Sequence, residues 1–302
     1  MKILTKFNSN NFDFGIFGLG FESRSITAFG KYGDHSRKNV VFGYDINTDK
    51  FSYQKNKVEF ERFPTKVYEL KDDEIIAILC AEIASSLTDT PISVLFDITV
   101  MSRHRLALVL CVLHEKLPKG SLISVVYSLS QFIKPPKDKT PIKYVREISE
   151  QLSGSLGDLS LPTSVVLGLG YEENKALGVS NLLDAGFMYA FIPESPIVAF
   201  KDEVLRSNED LLSTIPKDNI FYYDVCSPYS TYLALRSLIL AIQEHSRPLL
   251  VPLGPKILSS LSVILGLELH PNLPVWRVSS GHTETPVDRP PSGIEINYTI
   301  KL

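Results

Sequence analysis

Short, near-continuous apolar runs alternate along this chain with longer segments of helical spacing, and that alternation limits the folds open to it. Phe14 to Gly18, Asn39 to Tyr44, Ile92 to Ile98 and Leu122 to Tyr127 are too short for buried helices and rich in β-branched or aromatic residues. Lys66 to Leu70 is a further candidate strand. Between them, Ser23 to Tyr32 and Arg103 to Lys116 read as helices. Asp72 and Asp73 open another that runs to about Leu87, with Ile75, Ile76, Leu79, Ile83 and Leu87 on one face and the acids complementing the helix dipole. Strands with no polar face belong in a parallel sheet covered by helices on both sides and joined by right-handed crossovers.

The second half repeats the scheme. Strands are expected at Ser164 to Leu169, Met188 to Ile192, Asn219 to Val225 and Leu249 to Leu253, with helices over about 172–184, 199–214, 229–245 and 256–267. Gly18-Leu19-Gly20-Phe21-Glu22 aligns with Gly168-Leu169-Gly170-Tyr171-Glu172 at an offset of 150 residues. Val94 to Ile98 aligns with Phe221 to Val225, and Leu106 to Leu108 with Leu233 to Leu235, at an offset of 127. Two matches in the same order indicate an internal duplication. The expected fold is therefore α/β: two tandem Rossmann-like units with mainly parallel sheets. Ile133 to Lys137 begins an irregular stretch and Ser153 to Thr163 is rich in Ser, Gly and Leu, so the domains are expected at 1–155 and 156–302. Alternating Ile294, Ile296, Tyr298 and Ile300 predict a C-terminal antiparallel hairpin.

Composition removes several function classes. A chain of 302 residues that is 44% hydrophobic and 22% charged can bury a core and is neither disordered nor collagen-like. Its apolar runs are far shorter than a membrane span, and no N-terminal apolar segment ends in a cleavage site, so no membrane association and a cytoplasmic location are expected. Cys80, Cys111 and Cys226 lie far apart in apolar contexts, which predicts buried reduced thiols and no structural zinc. A net charge of -3 argues against general coating of nucleic acid. Residues 1–150 hold 21 Lys and Arg against 18 Asp and Glu, a balance of +3, and the remainder hold 10 against 16, a balance of -6. The first half is thus the expected place for an anionic ligand.

Ligands of open parallel sheets bind at the carboxyl ends of the strands. There Gly18 and Gly20 follow the first strand and offer a tight turn with amide donors, although Ser23 replaces the last Gly of a dinucleotide fingerprint. Glu22 and Arg24 form either an exposed first helical turn or a pair in which Arg24 reaches a phosphate. Asp45 ends the second strand, where such folds keep a ribose-binding acid and where Asp is also an ordinary turn residue. Asp97-Ile98-Thr99-Val100-Met101-Ser102-Arg103-His104-Arg105 leaves a buried strand and opens a helix with two arginines. Cations oppose the dipole there, so Arg103 and Arg105 are expected either to hold an anion or to pair with surface acids such as Glu74.

Asp97-x-Thr99-x-x-x-Arg103 resembles the D-x-[S/T]-x-x-x-[R/K] signature of CRISPR-associated Rossmann-fold (CARF) sensor domains. The resemblance implies cyclic-oligoadenylate binding through Asp97, Thr99 and Arg103, and a role in prokaryotic antiviral defence. The second half departs from it, since Asp224 recurs without a basic residue matching Arg103 and Asn174 stands opposite Arg24. With no effector module evident in the chain, the output of a sensor would lie in a separate effector protein.

The leading expectation is a sensor or regulatory protein for a nucleotide or cyclic oligonucleotide, with Gly18, Gly20, Arg24, Asp45, Asp97, Thr99, Arg103 and Arg105 facing the ligand; the nucleotide is the one ligand the sequence suggests, and no cofactor is assigned. An enzyme acting on a nucleotide or phosphorylated sugar is the alternative, with Glu22, Asp97 or His104 as acid or base. A ligand-free scaffold docking a partner through its acidic second half is the third. Glu172, Glu173 and Asp224 could hold Mg²⁺ beside a phosphate, although acids at helix starts are ordinary. Ser227 and Ser230 lack a nucleophile elbow. Tyr222, Tyr223, Tyr229 and Tyr232 are candidates for base stacking or for packing, and the loop carrying His282, Glu284, Asp288 and Arg289 is a candidate lid over the second-half crevice.

Overall fold

The computed structural model describes residues 1–302 apart from 9–10, 86–89, 136–140, 156 and 282–284. His282, Glu284 and Leu87 therefore lie outside the described residues. The chain forms a mixed α/β structure of two compact units, residues 1–131 with 286–302, and residues 132–285.

In the first unit the chain runs β1 (Lys2–Leu4), β2 (Phe14–Gly18), α1 (Thr27–Tyr32), β3 (Asn39–Tyr44), α2 (Tyr53–Glu61), β4 (Thr65–Leu70), α3 (Ile75–Ala84), β5 (Ser93–Asp97), α4 (Arg103–Lys116) and β6 (Leu122–Ser130). Strands β2 to β6 pair in parallel, in the order β6-β5-β2-β3-β4. Phe17, Leu19, Phe29, Val41, Tyr53 and Phe60 share one buried cluster, so α1 and α2 close over the same part of the sheet. The expected helix from Asp72 begins as a 3-10 turn at Asp72–Glu74 and becomes α-helical at Ile75. Helix α2 has no counterpart among the sequence expectations: its buried face is only Tyr53, Asn56 and Phe60, and a polar residue in the middle breaks the apolar period.

The second unit contains β7 (Tyr144–Glu147), β8 (Thr163–Gly168), α5 (Lys175–Leu183), β9 (Phe187–Glu194), α6 (Val198–Ser207), α7 (Glu209–Thr214), β10 (Ile220–Asp224), α8 (Pro228–Ile242), β11 (Arg247–Pro252), α9 (Lys256–Glu268) and β12 (Trp276–Ser279). Its parallel sheet has the order β10-β9-β8-β11. In both units the first parallel strand is central, with the second and third on one side and the fourth on the other. Strand β12 pairs antiparallel with β7, and the backbone bonds of Ile148 and Leu152 with Val275 continue that attachment. Residues 144–152 consequently belong with the second unit, although the sequence boundary near 155 assigns them to the first.

The last strand, β13 (Pro291–Lys301), shows the alternation read in the sequence, with Ile296, Tyr298 and Ile300 buried. It pairs antiparallel with β6 and β1, not with β12, and completes a seven-stranded sheet in the first unit. The antiparallel partner expected next door in sequence is thus supplied by the free edge of β6. Reassigning residues to the structural units also shrinks the charge asymmetry, to 18 Lys and Arg against 17 Asp and Glu in the first and 13 against 17 in the second. Cys226 is exposed, Cys80 partly so, and only Cys111 is buried as expected. Among the described residues no helix is long and apolar enough to cross a membrane.

Candidate ligand site at the sheet edge

The turn after β2 is largely self-satisfied. Leu19 N–H donates to the Phe42 carbonyl at 3.0 Å and Gly20 N–H to Ser25 Oγ at 3.1 Å, while Ser25 Oγ donates to the Gly18 carbonyl at 2.9 Å. Asn56 Nδ2, buried on α2, donates to the carbonyls of Gly20 and Glu22, both at 2.9 Å. A Cβ on Gly18 would stand 2.9 Å from Val100 Cγ2, and one on Gly20 3.1 Å from Val100 Cβ. The glycines therefore let the β5–α4 connection pack directly onto the turn, and the Gly20 amide is occupied within the protein.

Arg24 is buried at 3% exposure rather than extended over a crevice. Its Nε donates to Glu22 Oε2 at 2.7 Å and its Nη1 to the Ser128 carbonyl at 2.7 Å, beside the Tyr127 ring. Burial alone would lower the Arg24 pKa, and its interactions with Tyr127 and Glu22 more than reverse this, so the guanidinium stays charged. The other Glu22 oxygen accepts from Arg289 Nη1 at 3.4 Å, and Ser23 N–H donates to Asp288 Oδ1 at 2.7 Å. Asp288 and Arg289 thus lie on the β2 turn of the first unit, not over the second-half crevice. Their distance in sequence concealed this, because only the return of β13 to β6 brings the segment back.

The motif after β5 is partly structural as well. Asp97 is fully buried and its Oδ1 accepts the Thr99 N–H at 2.9 Å, a local turn that aims the chain into α4. Thr99 Oγ1 accepts the Ser128 N–H at 3.0 Å. Ser102 caps α4 by accepting the Arg105 N–H at 3.1 Å. The Arg105 side chain is 1% exposed and committed on every side: Nε to Asp72 at 2.5 Å, Nη1 to the Gly43 carbonyl at 2.7 Å, Nη2 to the Leu70 carbonyl at 2.6 Å, with its guanidinium 3.6 Å from the Tyr44 ring centroid. Arg105 fastens the ends of β3 and β4 to α4, so its acidic partner is Asp72 and not Glu74. Arg103 and His104, in the first turn of α4, are half-buried, and Asp45 at the end of β3 is exposed. Of the sequence-selected set, these three remain at the edge, whereas Gly18 and Gly20 are buried.

The second unit uses the same turn. A Cβ on Gly168 would meet Leu258 at 2.2 Å and one on Gly254 the Leu169 carbonyl at 2.3 Å, so the turn after β8 packs against the connection after β11. Asn208 Nδ2 donates to the Gly170 carbonyl at 2.8 Å, as Asn56 does to Gly20. The Gly18 and Gly168 alignment is thus matched by position in the sheet. The alignment of Asp97 with Asp224 is not: Asp97 ends the fourth parallel strand of its sheet and Asp224 the third. They look alike because Asp224 Oδ1 accepts the Cys226 N–H at 2.8 Å in the same local turn. Glu173 and Asp224 are exposed and Glu172 half-buried, and no cluster able to hold a metal ion occurs among the described residues. Tyr223 and Tyr232 are core residues, whereas Tyr222 and Tyr229 are exposed.

Compared with models of known protein families the chain matches none, and comparison with curated proteins gives no match either.

Proposed function

We propose that the first unit is a sensor module that binds a nucleotide-like, phosphate-bearing molecule at the carboxyl edge of its sheet, beside the connections leaving β2, β3 and β5. The observation that carries this reading is the position of β2. Strands β3 and β4 continue on one side of it and β5 and β6 on the other, which makes it the switch point where open parallel sheets bind ligands. Exposed Asp45 and half-buried Arg103 and His104 border that edge, with Arg24 and Arg105 as buried supports. Binding is favoured over catalysis, since Glu22 is clamped between two arginines and Asp97 is buried in a local turn. The Asp97–Arg103 resemblance to CARF domains supports a cyclic oligonucleotide as ligand and a role in prokaryotic antiviral signalling through a separate effector protein.

Thermal denaturation with ATP, GTP, cyclic tri-adenylate and cyclic tetra-adenylate tests the reading. A ligand at 100 times its Kd adds about 2.7 kcal/mol of stability. A shift with at least one nucleotide is expected, and it should shrink by about half or more in Arg103→Ala. The reading is overturned by no shift across the panel, or by a shift that Arg103→Ala leaves unchanged.

A further inference from the structure

The aromatic residues beside the two glycine turns differ between the units in one respect. Tyr171 follows Gly170, and its ring lies 5.8 Å from that of Phe200, on the helix after β9. Phe21 follows Gly20, and its ring lies 5.9 Å from that of Phe51, on the connection after β3. In the second unit a third ring, Phe132, packs edge-on against both members, at 5.2 Å from Phe200 and 6.4 Å from Tyr171. Among the described residues no third ring packs on the Phe21–Phe51 pair, and Phe51 is 61% exposed.

Phe51 is held in this position. Its backbone is left-handed at φ 40°, a region bulky side chains rarely occupy, and the next amide, Ser52 N–H, donates to the Phe21 carbonyl at 3.1 Å. A large apolar side chain is thus kept in solvent on a strained backbone, at the carboxyl edge of the sheet. Asp45 is exposed on the same connection, six residues earlier.

We propose that Phe21 and Phe51 form a platform for the base of a nucleotide, which takes the place that Phe132 fills in the second unit. Asp45 accepts hydrogen bonds from the ribose hydroxyls of that nucleotide. This rests on the reading of the first unit as a nucleotide-binding module and specifies that the base is read along with the phosphate.

Calorimetric titration of the full chain with ATP, adenosine and inorganic triphosphate tests the proposal. Loss of one base–aromatic stack weakens binding by roughly five- to 150-fold. ATP is expected to bind more tightly than inorganic triphosphate, and Phe51→Gly to reduce ATP affinity at least fivefold. The same substitution relaxes the left-handed backbone, so its Tm should not fall, which separates lost stacking from lost folding. Phe51→Trp should retain ATP binding, and the indole it adds to the chain's single Trp276 should be quenched by ATP. The proposal is overturned if Phe51→Gly binds ATP as the wild type does, if ATP and inorganic triphosphate bind equally, or if the wild type binds neither ATP nor adenosine. Equal binding of ATP and inorganic triphosphate would leave the phosphate-site reading standing. That reading falls when the whole nucleotide panel fails or when Arg103→Ala leaves the shift unchanged.

Discussion

Arg24 and Thr99 meet at one residue: Arg24 Nη1 donates to the Ser128 carbonyl at 2.7 Å, and Thr99 Oγ1 accepts the Ser128 N–H at 3.0 Å. The connections leaving β2 and β5 are thereby tied to the end of β6, and the middle of the carboxyl edge is closed by the protein's own side chains. Asp45 and Phe51, both exposed, and half-buried Arg103 stand outside these contacts.

Arg24→Ala should destabilise the first unit by about 3 kcal/mol, because it leaves Glu22 buried beside the weaker Arg289 contact and removes the donor to Ser128. Urea denaturation followed by circular dichroism measures the effect. A loss below about 1 kcal/mol would show that the pair contributes little beyond what water can replace.

The two arginines of α4 should separate cleanly. Arg105→Lys keeps the charge but cannot reach Asp72, Gly43 and Leu70 together, so a loss of about 2 kcal/mol is expected in the same denaturation experiment. Arg103→Gln should instead reduce nucleotide affinity about tenfold in calorimetry, consistent with the loss of one charge-assisted contact.

Gly18→Ala places a methyl 2.9 Å from Val100 Cγ2 and should cost about 1–3 kcal/mol through overpacking. Val100→Ala removes the opposing methyl groups, so the double variant should be more stable than the sum of the single losses predicts. Strict additivity in a double-mutant cycle would place the glycine requirement elsewhere.

Acid should weaken the first unit through Glu82. Burial would raise the pKa of this carboxylate, but hydrogen bonds from Lys38, Lys66 and Tyr68 hold it down to about 2, against an ordinary value of 4.5. A depressed folded-state pKa contributes stability that is present above about 4.5 and lost as the pH falls towards 2. Melting temperatures measured from pH 5 to 2.5 should fall, and Glu82→Gln should have a flatter profile over that range. Equal slopes for the two proteins would remove Glu82 as the cause.

Much of the local structure is legible along the chain, since its causes are local. Five apolar residues at Phe14–Gly18 are a buried strand whatever their neighbours, and the helix expected from Arg103 to Lys116 forms with those bounds. Asp97 and Asp224 show the limit of such reading. Each accepts the amide two residues on and starts the same turn, and this local likeness suggested an equivalence that their places in the two sheets do not bear out.

Arg24 and Arg105 show it for the site. An arginine near a strand end reads alike whether it awaits an anion or is enclosed by carbonyls. Its partners Ser128 and Leu70 lie 104 and 35 residues away. Periodicity, turn chemistry and capping act over a few residues and are written in the order of amino acids. Strand order, the return of β13 to β6, the burial of Arg24 and the exposure of Phe51 depend on which distant segments become neighbours, and only packing of the whole chain decides that.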